Sequence, residues 1–161
     1  MSGKPFYKFQ SIWRVAVAAP VAFEILHDLG SYPAWWREVK EARELDEGVF
    51  DLRCRSFLPY DLRFISRLKV VDRANNILES NLEGDLEGFS RWTIHDDASG
   101  SALVFDEEVV TNKRSLNLLA PVARPAFRFN HTLMMRHGRQ GFAMYAAGFS
   151  TARTQDARAV V

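Results

Sequence analysis

Residues 114–148 decide the fold, and they read RSLNLLAPVARPAFRFNHTLMMRHGRQGFAMYAAG. Apolar residues recur here at intervals of three and four, which is the spacing of one face of an α-helix. The arginines fall at other angles, from which their charged groups reach water. Proline is tolerated in a first turn but costs about 3 kcal/mol in a helix interior. We therefore expect the main helix to begin near Pro125, with residues 115–123 as a separate turn of helix or a kinked lead-in. The apolar face consists of Leu116, Leu119, Ala120, Ala123, Phe127, His131, Met134, Phe142 and Tyr145.

Two glycines, Gly138 and Gly141, thin this predicted helix. Because glycine has no side chain, it lets a neighbouring backbone or ligand come close. We expect a strand, a ligand or a second helix to approach the helix at these positions.

Composition indicates one ordinary soluble domain. The chain has 161 residues, of which 47% are hydrophobic and 25% charged, with a net charge of +1. This balance gives no support for a nucleic-acid partner. A single cysteine excludes an intrachain disulfide and a cysteine-rich zinc site. No apolar run approaches the roughly 20 residues of a membrane span, and no signal core is present, so we predict a cytoplasmic protein without stable membrane insertion.

Upstream of the helix, period-two alternation predicts strands. The first covers residues 7–17, and it is followed by a short helix at 21–29 and a second short helical segment at 32–37. Turn residues then separate six further strands. These strands are expected at residues 39–45, 49–56, 62–72, 77–83, 87–95 and 101–111.

The order of elements predicts an α+β architecture. Short connections between successive strands make an antiparallel meander. A strongly twisted sheet of seven strands curls, and the long helix fills its concavity. Since a sheet and a helix curve differently, we expect a cavity between them that suits an apolar ligand.

Several motifs in this order are similar to those of a known superfamily. They are WRVAVAAP at 13–20, DLGSYPAWW at 28–36, LPY at 58–60, GDLEGFSRW at 84–92 and NLLAPVARPAFRFNHTLMMRHG at 117–138. On these motifs the chain resembles the SRPBCC superfamily (START-like, birch-pollen-allergen-like), in its polyketide cyclase/dehydrase branch. The resemblance implies a helix-grip fold in one domain, 1–148, followed by a tail, 149–161. Whether the tail is a frayed end or forms a contact between copies of the chain stays open.

His131 is the first candidate site residue, because it falls on the apolar face of the long helix. A neutral imidazole in a cavity can act as acid or base in an aldol cyclisation or dehydration; a hydrogen-bonded core histidine is the alternative. Glu107 shares a strand face with Phe105, and an inward carboxylate needs a partner, either His131 or an arginine. The candidates for catalysis are His131, Tyr60 and Arg67, and those for ligand binding are Trp35, Trp36, Trp92, Phe105, Glu107, Phe127, Asn130, Met134 and Met135.

The side of the sheet on which the strand arginines lie depends on the strand register. On the strand at 49–56, Phe50, Leu52 and Cys54 share the face opposite Arg53 and Arg55. Alternation favours an inward direction for such apolar faces and a solvated outer face for Arg53, Arg55 and Arg67. A register shifted by one residue would bring them into the cavity, where they would hold a phenolate, enolate or carboxylate. Cyclases of the resembled branch commonly place an arginine there, so Arg67 stays a candidate.

Three functions remain open at this point. The first is binding of a hydrophobic small molecule, such as a polyketide-like aromatic, a lipid or an isoprenoid quinone. The second is polyketide cyclisation or dehydration by a cavity acid or base, and the third is a partner-binding module with a collapsed cavity. The chain lacks a glycine-rich phosphate loop, a zinc-binding histidine pattern and a GxSxG turn, so we predict no metal and no cofactor.

Overall fold

Seven antiparallel strands form one curled sheet in the computed structural model, which describes residues 4–113 and 120–159. The strands are β1 (Phe6–Val15), β2 (Val39–Asp46), β3 (Val49–Arg55), β4 (Asp61–Asp72), β5 (Ile77–Gly84), β6 (Leu86–Asp97) and β7 (Gly100–Thr111). Their order across the sheet is β1-β7-β6-β5-β4-β3-β2. The predicted meander of seven strands is confirmed.

The chain crosses from one edge of the sheet to the other between β1 and β2. This crossing contains helix α1 (Ala19–His27), a 3₁₀ turn (Leu29–Ser31) and the short helix α2 (Tyr32–Trp35). Pro20 lies in the first turn of α1, where its missing N–H leaves no hydrogen bond unmade. The two short helices that the sequence predicted after the first strand are therefore present.

The long helix α3 (Ala120–Ala159) closes the concave side of the sheet. It is continuous from Ala120 with Pro125 inside it, so the expected start near Pro125 is wrong. Of the separate turn or kinked lead-in expected at 115–123, residues 115–119 lie outside the described part of the chain, and residues 120–123 belong to α3. Packing of Phe127 and His131 against β1 stabilises the helix just after the proline, and such tertiary contacts override local propensity. The helix also continues past residue 148, where the sequence predicted a tail.

Strand alternation sends one face of the sheet toward α3. On β3, Phe50, Leu52 and Cys54 are buried, as the period-two pattern predicted. Most of the buried residues form one large cluster between the sheet, the short helices and α3, and a smaller cluster lies around Phe127. The interior therefore has an apolar region at each end of the space between sheet and helix.

Helix α2 packs closely on α3 at the two glycines. A Cβ atom on Gly141 would lie 1.7 Å from the carbonyl oxygen of Trp35, and one on Gly138 would lie 2.6 Å from the Trp36 ring. The indole Nε1 of Trp36 also donates a hydrogen bond to the carbonyl oxygen of Met134 at 2.9 Å. Of the three neighbours that the sequence left open, a second helix is the one that approaches.

Within residues 4–113 and 120–159, none of the helices combines the length and the apolar character that crossing a membrane requires.

Candidate functional site

A cavity of about 130 Å³ lies between the concave face of the sheet and helix α3. A single water needs roughly 10–15 Å³ of such space, so the cavity is large enough for an organic molecule. Its wall is mostly aliphatic and aromatic, with contributions from the strands, the 3₁₀ turn, α1, α2 and α3. The chemistry of the site therefore depends on the few polar groups that interrupt this wall.

The most polar feature of the wall is a pair formed by His131 on α3 and Glu107 on β7. The Nε2 atom of His131 lies 3.0 Å from Oε2 of Glu107, and both side chains are largely buried. The imidazole also stacks on Phe9 with ring centroids 3.8 Å apart. The hydrogen bond and the stacking fix the ring orientation, so this pair is a pre-positioned acid/base and hydrogen-bonding group.

Asn130, the residue before His131, faces the same space. Its Nδ2 atom donates a weak hydrogen bond to the sulfur of Met134 at 3.4 Å. Its Oδ1 atom is buried and has no hydrogen-bond partner among the described residues. A buried acceptor without a donor is costly, and it is found where a ligand or water completes the hydrogen bond.

Three serines line the opposite wall of the cavity. Ser66, Ser80 and Ser90 lie on the adjacent strands β4, β5 and β6, and Ser80 is the register partner of Ser90. None of the three was predicted from the sequence, because a serine at an inward position cannot be told from a surface serine until the strand register is known. The only available signal was their alternation with outward-facing residues such as Arg67 and Glu79.

Most of the predicted site residues line this cavity. Three of them do not: Trp35, Tyr60 and Arg67. Trp35 is buried, but it packs between α2 and α3, where it makes an edge contact with Phe142. The predicted residues on the cavity wall are Trp36, Trp92, Phe105, Glu107, Phe127, Asn130, His131, Met134 and Met135.

Tyr60 lies in the β3–β4 loop, against the smaller apolar cluster. Its hydroxyl is buried without a partner among the described residues. Burial is the main cause that raises the pKa of Tyr60 to about 12, with the nearby Tyr7 adding to it. The phenol is therefore neutral at physiological pH, and the structure places it beside the cavity, outside its wall.

Arg67 is exposed on the convex side of the sheet, away from α3. Arg53 lies on the same side, where it contacts Glu41 at 2.7 Å and Asp61 at 3.3 Å. These positions agree with the solvated outer face that strand alternation favoured, and they place Arg67 outside the candidate site. No arginine or lysine lines the cavity among the described residues.

Cys54 lies on the cavity wall between β2 and β4. Burial is the largest cause that raises the pKa of its thiol to about 12, and the carboxylates of Glu107 and Glu38 add to the shift. A thiol that stays protonated is a poor nucleophile. Its surroundings therefore suit an inert wall residue.

A second histidine–carboxylate pair joins α3 to the segment after α2. Nδ1 of His137 contacts Oε1 of Glu38, which Arg37 also approaches at 3.3 Å. Glu38 is 3% exposed, and neither residue lines the cavity. This pair joins α3 to the segment after α2 and lies outside the candidate site. Across the described ranges, no three histidine, cysteine, aspartate or glutamate residues are grouped as metal ligands.

Comparisons with known proteins agree with the architecture. No family model matches the sequence, and no curated protein gives a significant match. Among solved structures, the chain is similar to the Zhui aromatase/cyclase from a Streptomyces species, with 16% identity and a TM-score of 0.73 over 89% of this chain and 94% of that one. It is also similar to a START superfamily protein from Mycobacterium smegmatis, with 18% identity and a TM-score of 0.68 over 89% and 98% of the two chains.

A third similar structure is the di-domain ARO/CYC StfQ from the steffimycin biosynthetic pathway, with 14% identity and a TM-score of 0.69. The match covers 91% of this chain and 52% of that one, so the chain corresponds to about one of its two domains. At such identities a likeness establishes the fold alone. The fold that the sequence resemblance implied is confirmed, and the chain has the helix-grip fold of these aromatase/cyclase and START superfamily structures.

Proposed function

We propose that the protein binds a hydrophobic small molecule in the cavity between the sheet and α3. The observation that carries this proposal is a mostly apolar wall in which the buried acceptor of Asn130 has no hydrogen-bond partner among the described residues. An apolar ligand with a polar group would remove water from the wall and supply the missing hydrogen bond. A polyketide-like aromatic, a lipid and an isoprenoid quinone all have this character, and similar structures named as aromatase/cyclases support the first.

The test is native mass spectrometry of protein purified from its native source, with extraction and identification of any bound molecule. A co-purifying apolar compound is the expected result, and adding it back to stripped protein should raise the melting temperature. Met134→Trp, which fills the cavity from α3, should abolish that rise. Met144→Trp on the exposed side of the same helix is the matched control and should keep it. Stripped protein that shows no thermal shift with any of the three compound classes would contradict the proposal.

The His131–Glu107 pair supports a second candidate, catalysis of cyclisation or dehydration in a poly-β-keto chain. In an aldol cyclisation a base removes a proton from the carbon next to a carbonyl, and the resulting enolate attacks a second carbonyl. This attack forms the C–C bond that closes the ring. The new alkoxide is then protonated, and loss of a further α-hydrogen with that hydroxyl, as water, forms a double bond. An imidazole oriented by a carboxylate can move these protons, while the apolar wall holds the chain in a reactive conformation.

Substituting His131 separates binding from catalysis. For an enzyme, His131→Phe should lower turnover of a poly-β-keto substrate by about 10²-fold or more, since general acid–base catalysis contributes about 10²–10⁴-fold. Binding should change much less, because phenylalanine keeps the stacking on Phe9. Equal loss of binding and turnover would indicate that His131 only completes the wall. The third possibility, a partner-binding module with a collapsed interior, fits a cavity of about 130 Å³ poorly.

A further inference from the structure

Among the described residues, the polar groups of the cavity wall are rich in hydrogen-bond acceptors and carry no fixed positive charge. The carboxylate of Glu107 contacts His131 through Oε2. The other carboxylate oxygen has no hydrogen bond to a described residue and belongs to a side chain on the wall. The pair therefore adds hydrogen-bond acceptors to the wall and no net positive charge.

Asn130 adds a second acceptor within the same part of the wall. It is 4% exposed, its Oδ1 atom has no hydrogen-bond partner in the described part of the chain, and its amide nitrogen already contacts the sulfur of Met134. An amide oxygen accepts hydrogen bonds and cannot donate them. The group that completes this site must therefore be a donor, such as a hydroxyl or phenol.

The serines on the opposite wall can also form hydrogen bonds with a ligand that carries hydroxyl groups. Ser66, Ser80 and Ser90 make no side-chain hydrogen bond to the described residues. A hydroxyl both donates and accepts, so these groups match further hydroxyl or keto groups on the ligand. The polar groups thus occur on both walls, which suits a molecule with oxygens at more than one position.

A carboxylate or phosphate would find no comparable partner. The wall of the described residues has no lysine or arginine, and the imidazole of His131 is already engaged by Glu107. Arg124 and Arg128 carry charges near Tyr7, but both are exposed and neither lines the cavity. An anion moved from water into this wall would lose hydration and face a carboxylate.

From this arrangement we infer that the cavity selects uncharged ligands that carry hydroxyl or phenol groups and rejects their carboxylate counterparts. The inference rests on the proposed binding function and narrows its ligand class. Fatty acids and other anionic amphiphiles are therefore excluded as ligands that would place their charged end in the cavity.

Naphthol and naphthoic acid test this inference, because they share one ring system and differ in the polar group. At about pH 7 a phenol is neutral and an aromatic carboxylic acid is ionised. Isothermal titration of the full chain should give naphthol an affinity at least about tenfold higher than naphthoate, given the strength of charge interactions in a partly buried site. Lowering the pH toward 5 should strengthen binding of naphthoic acid, since more of it is then neutral.

Glu107→Gln removes the charge while keeping the shape of the side chain. In this variant we expect the affinity for naphthoate to rise until most of the tenfold difference from naphthol is gone. Asn130→Leu should lower the affinity for naphthol by about 3–10-fold, which corresponds to the loss of one hydrogen bond. Glu108→Gln is the matched control, since Glu108 lies on the opposite face of β7 and pairs with Lys8 at 2.7 Å. It should leave both affinities unchanged.

The outcomes separate the inference from the binding function. Equal affinities, tighter binding of naphthoate, or an unchanged naphthoate affinity in a folded Glu107→Gln protein would overturn the inference and leave the binding function in place. Binding of neither compound would count against the binding function itself. If Glu107→Gln does not fold, the pH series on the unaltered protein still decides, because a pH-independent naphthoate affinity contradicts charge rejection.

Discussion

Burial controls the chemistry of individual residues in this protein, and Cys54 shows the effect most clearly. Its thiol pKa is raised to about 12, first because the group is buried and then because two carboxylates lie nearby. A raised pKa means that the folded protein keeps a proton that the unfolded chain releases above about pH 9. The thiol therefore contributes stability that is fully present below that pH and is lost as the pH rises toward 12.

This shift predicts a change in alkaline stability. Urea unfolding between about pH 8 and 11 should show a free energy of unfolding that falls with pH, with Cys54 contributing up to roughly 1.4 kcal/mol per pH unit above pH 9. Tyr60 titrates in an overlapping range, so the comparison with Cys54→Ala isolates the thiol. The variant should be less stable at pH 8 but lose stability less steeply. If the free energy of unfolding fell equally steeply with pH in the two proteins, the pKa of the Cys54 thiol would not be raised by folding.

At the scale of elements, the tight contact between α2 and α3 is the most exacting feature. Gly141 leaves room for the Trp35 carbonyl, and a methyl group there would overlap it at 1.7 Å. The overlap involves backbone on both sides, so no side-chain rotation relieves it. The two helices would have to move apart and open the packing around Phe142.

Two glycine-to-alanine substitutions on the same helix test this contact. Gly141→Ala should destabilise the protein by several kcal/mol, beyond the 1–3 kcal/mol typical of overpacking. At Gly148 an added Cβ atom has no described atom within 4 Å, so Gly148→Ala should stabilise the helix by up to about 1 kcal/mol. Chemical denaturation measures both, and the difference in sign is the prediction. Similar effects from the two substitutions would contradict the close approach.

Elements were predicted from sequence to different degrees, for physical reasons. Alternation located all seven strands and placed Phe50, Leu52 and Cys54 inward, because period two follows directly from strand geometry. The start of α3 was misjudged because the penalty for Pro125 is local, whereas the packing that offsets it is not. Tyr60 lies in a loop, and no periodicity fixes the direction of a loop side chain.

The candidate site was predicted where a residue lay on an apolar face, as for His131, Glu107 and Phe127. Arg67 was retained on the strength of a resemblance, against the alternation of its own strand, and it lies outside. The serines were missed because their role depends on which strands are neighbours. Pairing across strands is a property of the whole sheet and cannot be read from one segment.

For the molecule as a whole, the open cavity lowers the free energy of unfolding while it provides space for a ligand. A packed interior has few voids larger than a water molecule, and filling a void usually adds stability. Ser80→Val adds apolar volume at a buried position whose hydroxyl makes no hydrogen bond to the described residues. It should raise the free energy of unfolding by about 0.5–2 kcal/mol and weaken naphthol binding.

The control for this substitution lies on the neighbouring strand. Thr93→Val makes a comparable change on the outer side of β6, since the adjacent Trp92 and Ile94 face inward. It should leave naphthol binding unchanged, as measured by titration calorimetry. If Ser80→Val also leaves binding unchanged, the ligand does not occupy this part of the interior.

All four tryptophans of the chain belong to one contact network. Trp13 lies 5.4 Å from Trp36 and 4.9 Å from Trp92 between ring centroids, and Trp35 stacks on Trp36 at 5.5 Å. Two of these rings form part of the cavity wall. Indoles this close exchange excitation energy, so ultraviolet light absorbed by any of them is shared among all. The protein's intrinsic fluorescence is thus a single collective signal from beside the cavity, and an aromatic guest that quenches one indole dims the emission of the entire molecule.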